Sequence, residues 1–242
     1  MKKYILIALL ILVALLAVGY AIVDKPLPEG ESGAQADALA EKMLHAIRHD
    51  AWEKTVAVQW TFPGGHEHLW DRQRNFARVR WEDYEVLIRL DSVSGLAFQN
   101  GQRIADDEQE KELVREGWEY WVNDSFWLNA PNKVFDPGVE RKLVRREDGQ
   151  DALLVTYTSG GATPGDAYLW LLDDSGLPTA WQLWVSIIPI GGLEFSWEGW
   201  QTLPGGARIA TYHEGPLTLE LGQLRSADSV EALIGEDSFA DL

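Results

Sequence analysis

The chain has 242 residues, with 38 acidic against 21 basic side chains, a formal charge of −17 at pH 7, and no cysteine. That charge repels nucleic acid and anionic lipid surfaces, and the missing thiols exclude disulfide staples, zinc-thiolate sites and a lipid-anchoring cysteine. Twelve tryptophans stand out, because each is large and amphipathic and needs a broad apolar surface to bury.

Lys2 and Lys3 precede an apolar or neutral run from Tyr4 to Val23, long enough as a helix to rise about 30 Å and span a bilayer. The nearest cleavage-like triplet, Ala17-Val18-Gly19, lies inside the run, whereas a secretory signal has a shorter apolar core ahead of its cleavage site. Residues 1–23 are therefore read as a signal anchor, with a cleaved signal peptide as the alternative. Positive residues before the run and Asp24 after it place the N-terminus in the cytoplasm and the body outside. In a bacterium this means the inner membrane, spanned by residues 4–23, with a periplasmic domain, or a free periplasmic protein if the signal is cleaved. The first 23 residues hold two lysines and no acid, so the exported part carries a charge of −19.

Residues 24–33, DKPLPEGESG, combine prolines, glycines and acids as an extended linker. Ser32 is placed to cap a helix over about 34–50, where Ala36, Leu39, Ala40, Met43, Leu44 and Ile47 recur at spacings of three and four. Val56, Val58, Trp60 and Phe62 then alternate with polar or small residues as a first strand, and Pro63-Gly64-Gly65 turns it. Short strands follow at 66–71, 76–81, 84–90 and 96–99, with Asn100-Gly101 suited to a tight hairpin. Asp106 or Asp107 caps a helix to about Asn123, which Phe126 to Pro131 ends. Strands resume at 142–146, 153–158, 168–172, 180–187, 193–197, 209–213 and 217–221, and a helical turn is expected around 230–234. The acidic tail 236–242 is expected to fray. The short turns require antiparallel pairing. The fold class is α+β, mostly β: an N-terminal transmembrane helix, then a curved antiparallel sheet or unclosed β-barrel of about ten or eleven strands covered by two or three helices. Apolar residues on both faces of 180–188, Trp181, Leu183, Val185 and Ile187 against Trp184 and Ile188, require cover on both sides or a sheet curled around its own core.

The segment Trp121-Val122-Asn123-Asp124-Ser125-Phe126-Trp127-Leu128, running into Pro131, Lys133 and Asp136-Pro137-Gly138, resembles an uncharacterised family of exported proteins with a LolA-like fold, relatives of the periplasmic lipoprotein carriers. The resemblance covers about 36–224 and makes 34–235 one LolA-like domain. It implies an unclosed barrel with an apolar cavity for an acyl chain, with Trp118, Trp121, Phe126 and Trp127 on or near a helical lid. Trp60, Trp81, Trp170 and Trp184 complete the expected ligand-binding set, although core packing is the more ordinary account of any one tryptophan. An uncleaved anchor departs from the family's shuttle role and fits a fixed receptor or acceptor.

Arg72, Arg74, Arg78 and Arg80 concentrate positive charge in the first meander. They read as partners for nearby acids or as a rim for the head group of a lipid. His66 and His68, two apart on a strand, point the same way and form a weak metal candidate, with His213 able to join from a neighbouring strand. Carboxylates are plentiful enough for pairs to arise by chance, no Gly-x-Ser-x-Gly elbow is present, and the 160–165 glycine cluster feeds a strand, unlike a phosphate cradle. The chain is expected to be non-catalytic, to need no cofactor, and to bind a lipid or lipidated protein. A periplasmic protein-interaction or sensor module with a packed core is the alternative, and an exported hydrolase using His66 or His68 a third reading.

Overall fold

The computed structural model describes residues 23–159 and 163–242. The expected anchor lies outside them apart from Val23, and among the described residues no helix is long and apolar enough to cross a membrane. What is described is mostly β, antiparallel and unclosed, with a few helices.

Helix α1 (Ala34–Ile47) and the short α2 (His49–Glu53) open the domain. They are separated by Arg48, which takes a left-handed conformation and divides the single helix expected over 34–50. Gly33, not Ser32, occupies the N-cap, with no side-chain hydrogen bond.

A meander then runs β1 (Ala57–Phe62), β2 (His66–Asp71), β3 (Phe76–Trp81), β4 (Tyr84–Arg89), β5 (Ser94–Gln99) and β6 (Gln102–Arg103). The β5–β6 turn uses Asn100 and Gly101 at φ 50° and 76°, the left-handed pair that a two-residue hairpin requires. Sheet one is completed by β16 (Gly222–Ala227), which returns from the C-terminus to pair antiparallel with β1. Sheet two is a second meander, β7 (Val139–Arg145), β8 (Asp151–Tyr157), β9 (Ala167–Leu172), β10 (Pro178–Trp184) and β11 (Leu193–Ser196). Two small ladders join β12 (Gln201–Thr202) to β13 (Arg208–Ile209) and β14 (Tyr212–Glu214) to β15 (Thr218–Glu220). The sixteen strands among the described residues exceed the ten or eleven expected. The excess is short pieces such as β6 and β12, and β16, whose Gly-Gln-Leu-Arg-Ser-Ala carries too little apolar alternation to register.

The long helix α3 (Asp107–Asn129) connects the two sheets. Asp106 caps it, its carboxylate accepting from the Gln109 amide at 2.9 Å, and the first turn is acidic as the helix dipole favours. The helix continues through Phe126, Trp127 and Leu128, where the sequence reading ended it. Its end comes with Pro131 in a 3-10 turn (Ala130–Lys133), because proline is tolerated in a first turn but not within a helix.

Strand alternation gives sheet one an inner face, where Trp60, His68, Val79 and Val86 stand across from one another on β1 to β4. The N-terminal half of α3 packs there through Leu113, Val114, Trp118 and Trp121. Gly117 permits the close approach: a Cβ at that position would lie 2.3 Å from Val86 Cγ2. The C-terminal half of α3 brings Phe126 and Trp127 against the inner face of sheet two, beside Tyr168, Trp181 and Phe195.

Outer faces are covered too. Ala57, Leu69 and Leu87 of sheet one meet α4 (Val230–Ile234) and Phe239. The tail expected to fray is thus docked, with Phe239 buried and Asp237 paired to Arg74. The 24–33 segment is extended but strapped along sheet two: Glu31 bridges Leu143, Lys25 donates to the Gly191 carbonyl, and Trp184 Nε1 donates to the Lys25 carbonyl at 2.7 Å.

Candidate functional site

Strand parity sends His66, His68 and Trp70 of β2 inward, toward the middle of α3. There Asp124 meets them. Its Oδ2 lies 2.7 Å from His66 Nδ1 and 2.7 Å from His68 Nε2, while Oδ1 accepts from Asn123 Nδ2 at 2.8 Å. The Asp124 and His68 side chains are at most 1% exposed, and His66 keeps 16%. A buried carboxylate costs several kcal/mol unless it is charge-paired or hydrogen-bonded, and the two imidazoles and Asn123 supply that compensation.

Aromatic rings fix the imidazoles. His68 stacks on Trp60 with centroids 4.6 Å apart, and His66 lies 4.2 Å from Tyr120, one helical turn before Asp124. Burial pushes His68 below the ordinary histidine range, opposed by its hydrogen bond to Asp124. Its Nδ1 is buried without a hydrogen-bond partner, consistent with a neutral ring that donates from Nε2. The arrangement has the donors to share protons within a network or to hold a cation, since the three ligating atoms lie within 4.8 Å of one another.

His213 is not part of this cluster. It sits on β14 against Trp127 and Trp197, its Nδ1 3.1 Å from the Ser196 carbonyl, and burial lowers it to about 4. Asp124 takes the place assigned to it. The sequence carried a signal for this: Asp124 is an acid inside an otherwise aromatic run whose neighbours Trp121, Ser125 and Leu128 pack inward.

The residues expected to line a hollow are distributed over several clusters. Trp81, Trp118 and Trp121 pack between α3 and sheet one, and Trp60 on the inner face of β1 belongs to a second cluster that also holds Trp52. Phe126, Trp127 and Trp170 belong to an aromatic layer between α3 and sheet two, together with Trp181 and Trp197, which are not in the expected ligand-binding set. Trp170, Trp181 and Trp197 are mutually 4.9 to 5.0 Å apart and essentially buried. Trp184 is separate, on the outer face of sheet two under the N-terminal strap. Two clefts open at the surface, outside these layers. One of about 330 Å³ runs from Gly65 past Glu67 to Asp83, and one of about 560 Å³ lies between the strap and Arg145, Glu147 and Trp184.

The arginines do not share one face. A turn after β2 holds Arg72 and Arg74, so strand alternation does not connect them to Arg78 and Arg80. Arg72 lies over Trp52 and Trp70 and donates to the Trp52 and Thr55 carbonyls. Arg74 pairs with Asp71 and Asp237. Arg78 and Arg80 point to the outer face of sheet one, Arg78 donating to Ser238 at 2.7 Å and Arg80 to Glu85. Arg78 also lies 3.9 Å from Glu85, so every one of the four has an acidic or backbone partner.

No protein-family model matches the chain, and no curated protein matches it. Among solved structures, it is similar to the crystal structure of a DUF1329 family protein from Desulfovibrio piger, with 11% identity and a TM-score of 0.40, over 84% of this chain and 98% of that one.

Proposed function

We propose that the chain is a non-catalytic, exported domain that accommodates the apolar chain of a lipid or lipid-modified protein between α3 and sheet two, held at the inner membrane by residues 4–23. The aromatic layer carries the reading. It is contiguous, it is apolar, and its helical side combines Ala40 and Met43 of α1, which are buried, with the half-buried Phe126 and Trp127 of α3. It also holds donors in reserve, because the indole N–H groups of Trp170, Trp181 and Trp197 and the Tyr157 hydroxyl are buried without a protein acceptor. An ester or carboxyl oxygen would satisfy one of them. The likeness of the Trp121–Leu128 segment to the LolA-like family supports the same reading.

Side chains fill the layer, so an acyl chain enters by displacing Phe126 and Trp127 as the C-terminal half of α3 lifts from sheet two. The full-length chain, delipidated and presented with a fatty acid or diacyl phospholipid, should retain the lipid through native mass spectrometry and change its tryptophan emission. If it neither retains lipid nor responds in fluorescence, the proposal fails.

The same filled layer favours a second reading, a periplasmic interaction or sensor module whose tryptophans only pack. Crosslinking in intact cells separates the two: capture of a protein without lipid supports the second, and capture of lipid without protein the first.

A further inference from the structure

We infer that His66, His68 and Asp124 form a binding site for one first-row divalent transition cation, which clasps α3 to β2. The donor set is two imidazoles and one carboxylate, brought from β2 and α3 with all three ligating atoms within 4.8 Å of one another. Two nitrogens and an oxygen suit zinc, cobalt, iron or nickel in the divalent state better than calcium or magnesium, which prefer oxygen alone. Three protein ligands leave at least one position for water or a fourth donor.

Several features on different elements support the assignment. Asp124 is held by Asn123 Nδ2 on Oδ1, so that Oδ2 alone faces the imidazoles, as a metal-binding carboxylate is commonly oriented by a neighbour. His66 is partly exposed while Asp124 and His68 are not, which gives the site one open side. The surface groove of about 330 Å³ begins at Gly65 and Glu67, the chain neighbours of His66. Its walls carry Glu67, Glu82, Asp83 and Glu85 against Arg80, an acidic field beside the site, although Glu67, Arg80 and Glu85 belong to the outer face of sheet one and the imidazoles to the inner.

The contact of 2.7 Å from Asp124 to each ring is a hydrogen bond in the metal-free protein. A bound metal would take the place of both protons, each ring then carrying its N–H on the other nitrogen. For His68 that nitrogen is Nδ1, which has no acceptor, and the ring is oriented by its stack on Trp60. Metal-binding histidines ordinarily donate from the second nitrogen to a protein acceptor, so an exchangeable site is expected in preference to a permanent structural one.

The test uses the purified full-length chain, stripped with a chelator and titrated with Co²⁺, whose visible bands report nitrogen and oxygen coordination directly. One equivalent should bind saturably. His66→Ala, at the least buried ligand, should weaken binding by at least ~10-fold, and Asp124→Asn should do the same. His45→Ala, remote in the fold on α1, should leave binding unchanged. Circular dichroism of metal-free His66→Ala checks its folding, and His66→Gln replaces it if it does not fold. Absence of saturable Co²⁺ binding overturns the proposal, and so does binding that survives the His66 substitution at full strength.

Discussion

Arg74 holds Asp237 by a paired contact, Nη2 to Oδ1 at 2.7 Å and Nη1 to Oδ2 at 2.8 Å, across 163 residues of sequence. Arg74 lowers the Asp237 carboxyl below its ordinary value, chiefly through that hydrogen bond. A carboxyl depressed by folding contributes stability above its unfolded pKa of about 3.9 and loses it as pH falls further. The hydrogen-exchange protection factors of residues 236–242, taken against the intrinsic rate at each pH, should therefore be high at neutral pH and fall below about pH 4. Asp237→Ala should lower that protection at neutral pH and make little difference where Asp237 is protonated, at a cost to global stability of about 1 kcal/mol at neutral pH, since the pair is partly exposed.

His213 predicts a second acid sensitivity. Burial lowers it to about 4, so between that value and the unfolded pKa of about 6.5 the unfolded chain binds the extra proton. Its contribution is complete above pH 6.5, declines as pH falls toward 4, and is constant below, a change on the order of 3 kcal/mol. Urea midpoints from pH 7.5 to 4 should fall for the native sequence and fall less steeply for His213→Gln. Equal slopes would show that folding does not shift the titration of His213.

The approach of α3 to sheet one depends on Gly117. Alanine would improve helix propensity by about 1 kcal/mol on an open helix, yet here its Cβ would meet Val86 Cγ2 at 2.3 Å. Overpacking of this kind costs about 1–3 kcal/mol, so Gly117→Ala should lower the urea midpoint despite the propensity gain. An increase would mean that the helix shifts freely.

Trp184 tests the N-terminal strap separately from the interior. Trp184→Phe keeps the apolar contact on sheet two but removes the bond to the Lys25 carbonyl, worth about 1 kcal/mol. Proteolysis between residues 24 and 33 should become faster while the unfolding midpoint moves little.

Much of the first meander was legible because its signals are local. Strands β2 and β3 begin and end where alternation and turns placed them, Asn100-Gly101 made the hairpin, and Asp106 capped α3. The opposite faces of Trp181 and Trp184 on β10 were also readable from period two. Strand β16 was not, because its pairing with β1 depends on where the chain returns and its own residues carry little pattern. The fate of Arg74 was likewise hidden: a mixed acidic tail gives no local indication that Phe239 will find an apolar site on sheet one and bring Asp237 with it.

The site divides along the same line. The sequence by itself determined that His66 and His68 face the same way, since alternate strand residues must, and that the tryptophans would need an extended apolar surface. Only the tertiary structure decided that Asp124, and not His213, completes the cluster, because which helical turn crosses which strand is set by packing, here by the space at Gly117. It also decided that Trp170, Trp181 and Trp197 lie against one another. Alternation assigns a side chain to a face, but what that face meets is fixed by how two sheets and one long helix share a limited volume.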